Sequence, residues 1–371
     1  MSLTAVILVG GEGTRLRPLT QRTPKPMLPL VDRPLIEYTF EHLRRHGVTR
    51  VVLSCGYLPT QIQAHYGAET RGVELVYRVE ESPLGTGGAI AFGAAGLDEA
   101  FLAVNGDSLR GADLSALIDF HREKGAQATI LLTPVSDPSR FGLVRLDHDG
   151  RVTGFLEKPR PDEIDTDLIN AGVYVLEPDI LALVPPGQMV SIERDVFPRL
   201  VQAGTCFGLA LPGYWLDVGT PESYLQAHRD VLERNVPSEV GDALGREYMT
   251  VHPSAQVSKD ARLVPPVVVG PNAVIQAGVR VGSLAVIGAG AHVGEGSIVE
   301  HAVIQAGVEL GSGCIVLGSI VGEGARLGAG TQVSGLSVVG PGAHIGEGNT
   351  LDGGLRVAAD AEIPPRALSF A

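Results

Sequence analysis

The chain has 371 residues, 44% hydrophobic and 19% charged, with a formal net charge of −13. That length exceeds one ordinary core and suits two domains, and the apolar content marks a globular protein. The negative balance argues against nucleic acid and anionic membranes as partners, whose phosphates would be repelled, but a nucleotide held by a few local cations and one Mg²⁺ stays open. Cys55, Cys206 and Cys314 lie far apart without CxxC or Cys/His spacing, so they read as small buried hydrophobes and not as zinc ligands or a disulfide framework. The apolar run before Gly10 lacks a basic flank and reads as a buried strand, not a signal peptide. No run approaches the ~18 apolar residues that cross a bilayer, so the expected compartment is the cytoplasm. Lysine is scarce: Lys25, Lys124, Lys158 and Lys259 are the only four among 29 basic residues. Two of them stand in Pro24-Lys25-Pro26 and Glu157-Lys158-Pro159, where a compact point charge serves differently from a guanidinium fork.

Up to about residue 235 apolar runs alternate with helical patterns. Ala5 to Val9, Arg50 to Ser54, Glu74 to Arg78 and Ala100 to Val104 predict strands; Leu35 to His46, Ile90 to Ala95 and Leu114 to Lys124 predict helices. Such alternation gives βαβ units and a Rossmann-like α/β domain, its sheet mixed but mostly parallel with helices on both faces, over residues 1–235. Residues 236–250 form a connection.

From residue 251 to 371 the pattern is different. Apolar residues recur every sixth position from Val251 through Val257, Leu263, Val269, Ile275, Val281, Ile287, Val293 and Val299, and again from Val321 to Val357. Glycine often follows, as in Ile287-Gly288 and Val293-Gly294. This is a hexapeptide repeat: three hexads make a triangular coil, the apolar residue points inward, and glycine helps the backbone turn. The tract resembles the left-handed parallel β-helix of hexapeptide proteins. It predicts about six coils, on the order of 28 Å long. The slip between Val299 and Val321, which contains His301 and Cys314, predicts a bulge or small loop. The tail Ile363 to Leu368 is expected to cap the last coil, and the β-helix to mediate a homo-oligomer.

The first strand runs into Gly10-Gly11-Glu12-Gly13-Thr14-Arg15, where missing Cβ atoms let backbone N–H groups approach a polyphosphate. It is neither a Walker loop nor a dinucleotide fingerprint, whose third glycine would fall on Leu16. The longer string, with Leu16-Arg17-Pro18-Leu19-Thr20 and then Pro24-Lys25-Pro26, resembles the signature of nucleoside-diphosphate-sugar pyrophosphorylases. Further motifs of that family follow in order. They are Leu84-Gly85-Thr86-Gly87-Gly88, Asn105-Gly106-Asp107, Phe141-Gly142, Phe155-Leu156-Glu157-Lys158-Pro159, Asn170-Ala171-Gly172 and Trp215-Leu216-Asp217.

The resemblance implies attack of a sugar-1-phosphate oxygen on the α-phosphorus of an NTP, with release of pyrophosphate. The nucleotide would lie on Leu8, Gly10, Gly11, Gly13, Thr14 and Arg15, with its base on Gly85, Thr86, Gly87 and Gly88. Arg15, Lys25, Asp107 and Lys158 would be catalytic. Gly142, Glu157, Lys158 and Asn170 would hold the sugar phosphate, and Asp107 and Asp217 would hold Mg²⁺. Taken singly, either aspartate reads equally as a cap, and Glu157-Lys158 as a solvated pair. Ser191 to Pro198 and Gly87-Gly88 resemble guanylyltransferases, which implies GTP with mannose 1-phosphate, a hexose 1-phosphate. The alternatives are glucose 1-phosphate with UTP or dTTP. A second class, an acyltransferase in the β-helix, would need a histidine base; His292 and His344 occupy matching repeat positions, which leaves His301. A third, a sensor with a dead site, conflicts with the presence of Arg15, Lys25 and both aspartates.

Overall fold

The computed structural model describes residues 3–157 and 160–369, with only the backbone of Glu157. The chain forms two compact units, Met1–Gly11 with Tyr38–Trp215, and Glu12–Glu37 with Leu216–Ala371.

The first unit is built on a ten-stranded mixed sheet. Leu3–Leu8 lies at its centre, parallel to Val48–Cys55 on one side and to Phe101–Asn105 on the other. Ala5, Val6 and Ile7 have no exposed surface, as befits a parallel strand covered on both faces. Val73–Val79 extends the sheet beyond Val48–Cys55 in the same direction. Leu168–Leu176 closes on Phe101–Asn105 antiparallel and carries the antiparallel strands Ala128–Pro134 and Gly142–Leu146. The strand order therefore reverses beside Leu3–Leu8, and in open α/β sheets ligands bind outside the carboxyl ends at such a point. The helix Gly85–Ala94 packs on the central strand, and Gly93 permits it: a Cβ there would stand 2.5 Å from Val6 Cγ1. The helix Leu114–Lys124 starts at Asp113, whose carboxylate accepts from the N–H groups of Ser115 and Ala116, and ends at the left-handed Gly125.

In the second unit, three parallel sheets of seven, seven and six short strands wind into a β-helix around Val, Ile, Leu and Ala side chains. The expected loop after Val299 is absent. Ile304, Leu310 and Val316 continue the inward series, and all three are buried. Val286 pairs with Val303 where the preceding coil pairs Val268 with Val286, so this coil is one residue shorter. The slip is a pair of shortened corners, Val299 to Ile304 and Val316 to Val321, turned by left-handed His301 and Gly318. Hydrophobic register survives because the missing residue comes from the corner and not from a strand. The glycine after an inward residue is also set by packing more than by turning: a Cβ on Gly288 would stand 2.6 Å from Ala306 N of the next coil. Leu368 at the tail packs against the coil core, and its N–H donates to Asn349 Oδ1 at 2.8 Å. All three cysteines are free and buried.

The helix Pro221–Leu232 supplies Tyr224, whose hydroxyl bonds Pro29 O and accepts from Gln305 Nε2, and His228, whose Nδ1 accepts from Val31 N–H at 3.2 Å. Burial holds His228 at about 3 against an ordinary 6.5. The unfolded chain therefore binds a proton that the folded chain refuses, and this stability contribution fades as pH falls from about 6.5 to about 3. His228→Gln, whose amide oxygen can accept from Val31 without titrating, is expected to flatten the decline of the urea midpoint between about pH 7 and about pH 4.5. Equal slopes in both proteins would assign that decline to other groups.

Candidate active site

In the first unit, Leu8 ends the central strand and its carbonyl accepts from Gly106 N–H at 3.0 Å. Gly10 and Gly11 follow, exposed at the carboxyl edge. The backbone of Gly56 runs so close that a Cβ on it would stand 2.9 Å from Gly10 O. Asp107 follows Phe101–Asn105 at the same edge, half-buried. Beneath this turn lies the buried Arg110, whose Nη2 donates to Asn105 O at 2.6 Å. Burial lowers Arg110 to about 10, while Asp107 and Tyr174 pull the other way, so it stays charged at neutral pH and offsets the acid.

The loop at Gly85, Thr86, Gly87 and Gly88 opens the helix Gly85–Ala94, and the segment from Gln188 to Glu193 lies against it. Gly87 N–H donates to Val190 O at 2.8 Å, and Thr86 Oγ1 accepts from Ile192 N–H at 2.9 Å. A Cβ on Gly88 would stand 2.9 Å from Gln188 O, and one on Gly87 3.1 Å from Ile192 N. The smallness of these glycines thus admits the neighbouring segment.

Glu193 ties the Thr86 loop to the strand that carries Asn170. Its carboxylate accepts from Thr86 Oγ1 and Ser191 Oγ, each at 2.8 Å, and from Tyr174 OH at 3.3 Å. Tyr174 OH in turn accepts from Asn170 Nδ2 at 2.9 Å, and Asn170 Oδ1 accepts from Gly172 N–H. Gly142 opens its strand opposite Glu157 in antiparallel register. Trp215 Nε1 donates to Ala171 O, and its ring meets Phe141 edge-on at 5.2 Å. Lys158 lies outside the described residues, as does the side chain of Glu157.

In the second unit, Gly13 takes the left-handed conformation, and its carbonyl accepts from Thr20 Oγ1 at 2.8 Å. This folds the chain into the short 3₁₀ turn Thr14–Leu16, fastened by the buried Leu16 and Leu19. Thr14 and Arg15 remain exposed. A further 3₁₀ turn, Lys25–Met27, carries Lys25, which is only 6% exposed. Both cations converge on Asp217: Lys25 Nζ lies 3.8 Å from Oδ1 and Arg15 Nη2 lies 3.6 Å from Oδ2. Gly219 makes room, since a Cβ there would stand 2.6 Å from Arg15 Nη2.

No group of three or more His, Cys, Asp or Glu able to hold a metal occurs among the described residues. A cation here would take at most a carboxylate or two from the protein and the rest of its shell from phosphate and water. That donor set suits Mg²⁺.

Two acids escaped the sequence reading. Glu80, at the end of Val73–Val79, accepts from Ser54 Oγ at 2.9 Å and from Leu84 N–H at 3.2 Å, and one of its oxygens lies 3.6 Å from a Cβ built on Gly10. Glu193 lies within the Ser191–Pro198 segment, where the sequence alone assigns it no role. An acid at a strand end just before a glycine loop was the available signal for Glu80; no sequence signal paired Glu193 with Thr86.

Residues 4–234 match the nucleotidyl transferase family model, and residues 280–359 match the GMPPB C-terminal domain model. A mannose-1-phosphate guanylyltransferase of Mycobacterium tuberculosis (strain ATCC 25618 / H37Rv) is 42% identical over 278 residues, 74% of this chain and 77% of that protein. A UTP–glucose-1-phosphate uridylyltransferase of Synechocystis sp. is 35% identical over 250 residues, 63% of this chain and 64% of that one. Among solved structures, HddC from Yersinia pseudotuberculosis complexed with GMP-PN is 31% identical with a TM-score of 0.53, over 61% of this chain and 97% of that one.

Proposed function

We propose that this chain, which belongs to the nucleotidyl transferase family, makes GDP-mannose and pyrophosphate from GTP and mannose 1-phosphate. The observation that carries the reading is the convergence of Arg15 and Lys25 on Asp217, with Arg15 following directly on the glycine-rich string in sequence. An oxygen of the sugar phosphate forms a bond to the α-phosphorus as the bond from that phosphorus to the bridging oxygen breaks. Pyrophosphate leaves with the electron pair, and no covalent enzyme intermediate is needed.

Catalysis is then positioning and charge neutralisation. Arg15 meets charge on the α-phosphate and departing pyrophosphate, and Lys25 draws the phosphates together. Lys158 anchors the sugar phosphate, and Glu157 and Asn170 bond sugar hydroxyls. Asp107 and Asp217 would hold Mg²⁺, which supplies further neutralisation when bound.

The guanine choice is supported by the mycobacterial relative and by Glu80. A carboxylate is an acceptor only, and each oxygen of Glu80 keeps room for a second donor. Guanine offers adjacent N1–H and amino donors, whereas uracil and thymine offer one N–H between two carbonyls that the acid repels.

Pyrophosphate release from GTP, UTP, dTTP and ATP, each with mannose or glucose 1-phosphate, tests this. GTP with mannose 1-phosphate is expected to lead in kcat/KM by at least about a hundredfold, below the roughly 10⁴-fold or more that a site built to hydrogen-bond its substrate can reach. A lead by UTP would replace the base and keep the chemistry. No release from any pair would sink the whole reading.

A further inference from the structure

The final coil of the β-helix touches the phosphate loop itself. Val357 on the strand Arg356–Val357 is buried in the coil core, so strand alternation turns Arg356 outward. Its guanidinium Nη1 donates to the carbonyl of Arg15 at 2.8 Å and to that of Arg17 at 3.2 Å. Three residues on, Ala359 N–H donates to Gln21 Oε1 at 3.1 Å, and the carboxylate of Asp360 pairs with Arg22. Asp360 is aimed by a left-handed backbone whose N–H donates to Pro341 O at 3.0 Å. Opposite it Gly342 has no side chain; a Cβ there would stand 2.5 Å from Asp360 Oδ1 and 3.2 Å from Arg22 Nη1. One turn of coil therefore grips the loop at four places between Arg15 and Arg22.

We propose that this clasp positions the catalytic loop, with Arg356 as a positioning residue for Arg15; the proposal rests on the transfer reaction above. The physical link is short. The Arg15 carbonyl shares its peptide with the Cα that aims the Arg15 side chain at Asp217. On its own the loop is held over this stretch by short 3₁₀ hydrogen bonds, Leu16 N–H to Gly13 O, Arg17 N–H to Thr14 O and Gln21 N–H to Pro18 O, and by the Thr20 hydroxyl on Gly13 O. Short 3₁₀ turns have poor hydrogen-bond geometry and little stability alone. Leu16 and Leu19 fix the loop's buried side, and Arg356 fixes its outward-facing carbonyls. Because Arg356 and Asp360 are exposed, losing either leaves the coil core intact. The effect should appear in the site and not in the fold.

Hydrogen exchange and steady-state kinetics on the full chain test the clasp with Arg356→Ala, Arg356→Lys and Asp360→Asn, asparagine being tolerant of the left-handed backbone. Arg356→Ala is expected to speed exchange of peptides covering residues 14–22 and to lower kcat about tenfold, with KM for the nucleotide within about twofold and the thermal midpoint unchanged. Arg356→Lys should recover part of kcat, since one ammonium can reach one carbonyl. Asp360→Asn should loosen the Arg22 end with a smaller loss. Unchanged exchange and kcat in Arg356→Ala overturn the clasp, as does a loss of kcat matched by a fall in thermal midpoint. If exchange changes as expected but wild-type protein turns over no substrate pair, the clasp stands and the reaction assigned above fails.

Discussion

Lys25→Ala is expected to lower kcat by about two to three orders of magnitude, the range for removing one preorganised donor from a developing negative charge. Lys25 is 6% exposed and set between two prolines, so its ammonium is held in place and partly shielded from water. Shielding raises the value of a positive charge beside phosphate, and a fixed position avoids reorganisation during the reaction. The same burial predicts that Lys25→Arg fails to rescue, because a planar fork needs more room than the ammonium. Asp217→Asn should also impair turnover, since Asp217 faces both Lys25 and Arg15. Steady-state kcat, with the thermal midpoint as a control for folding, reads all three. A Lys25→Ala enzyme within about threefold of wild type would remove Lys25 from the chemistry.

Much of this arrangement was legible from the sequence because its determinants are local. The strand predicted over Ala5 to Val9 is Leu3–Leu8, and the helix predicted over Leu114 to Lys124 has those bounds, since Asp113 and Gly125 mark its ends. The six-residue period gave the β-helix because each coil repeats the same inward position. It misjudged the tract after Val299, where two corners each lose one residue: a fixed period reads such a loss as an interruption, while in space the strands continue to stack. The glycines of the hexads and of Gly87-Gly88 were visible, but the backbones they accommodate come from elsewhere in the chain. The Glu193 bond to Thr86 spans 107 positions, and that of Arg356 to the Arg15 carbonyl spans 341. Neither motif carries any trace of its partner. What escaped was therefore the support behind the motifs and not the motifs themselves.

Gly219→Ala should lower kcat about a hundredfold, the cost of displacing a reacting group by about 1 Å, and leave stability nearly unchanged. Gly219 is not in a left-handed conformation, so alanine strains no backbone; its methyl group instead meets the Arg15 guanidinium at 2.6 Å and Asp217 Oδ2 at 2.9 Å. Of the two, Arg15 yields more readily, because its side chain is 65% exposed against 27% for Asp217. The guanidinium swings into solvent, and its pairing with Asp217 is lost. A double-mutant cycle isolates this route. If Gly219→Ala acts through Arg15, then Arg15→Ala with Gly219→Ala is no slower than Arg15→Ala alone, because the group being displaced is already gone. Additive losses would mean that the methyl group disturbs Asp217 or the turn into Pro221–Leu232, and the role given to Gly219 would pass to those elements.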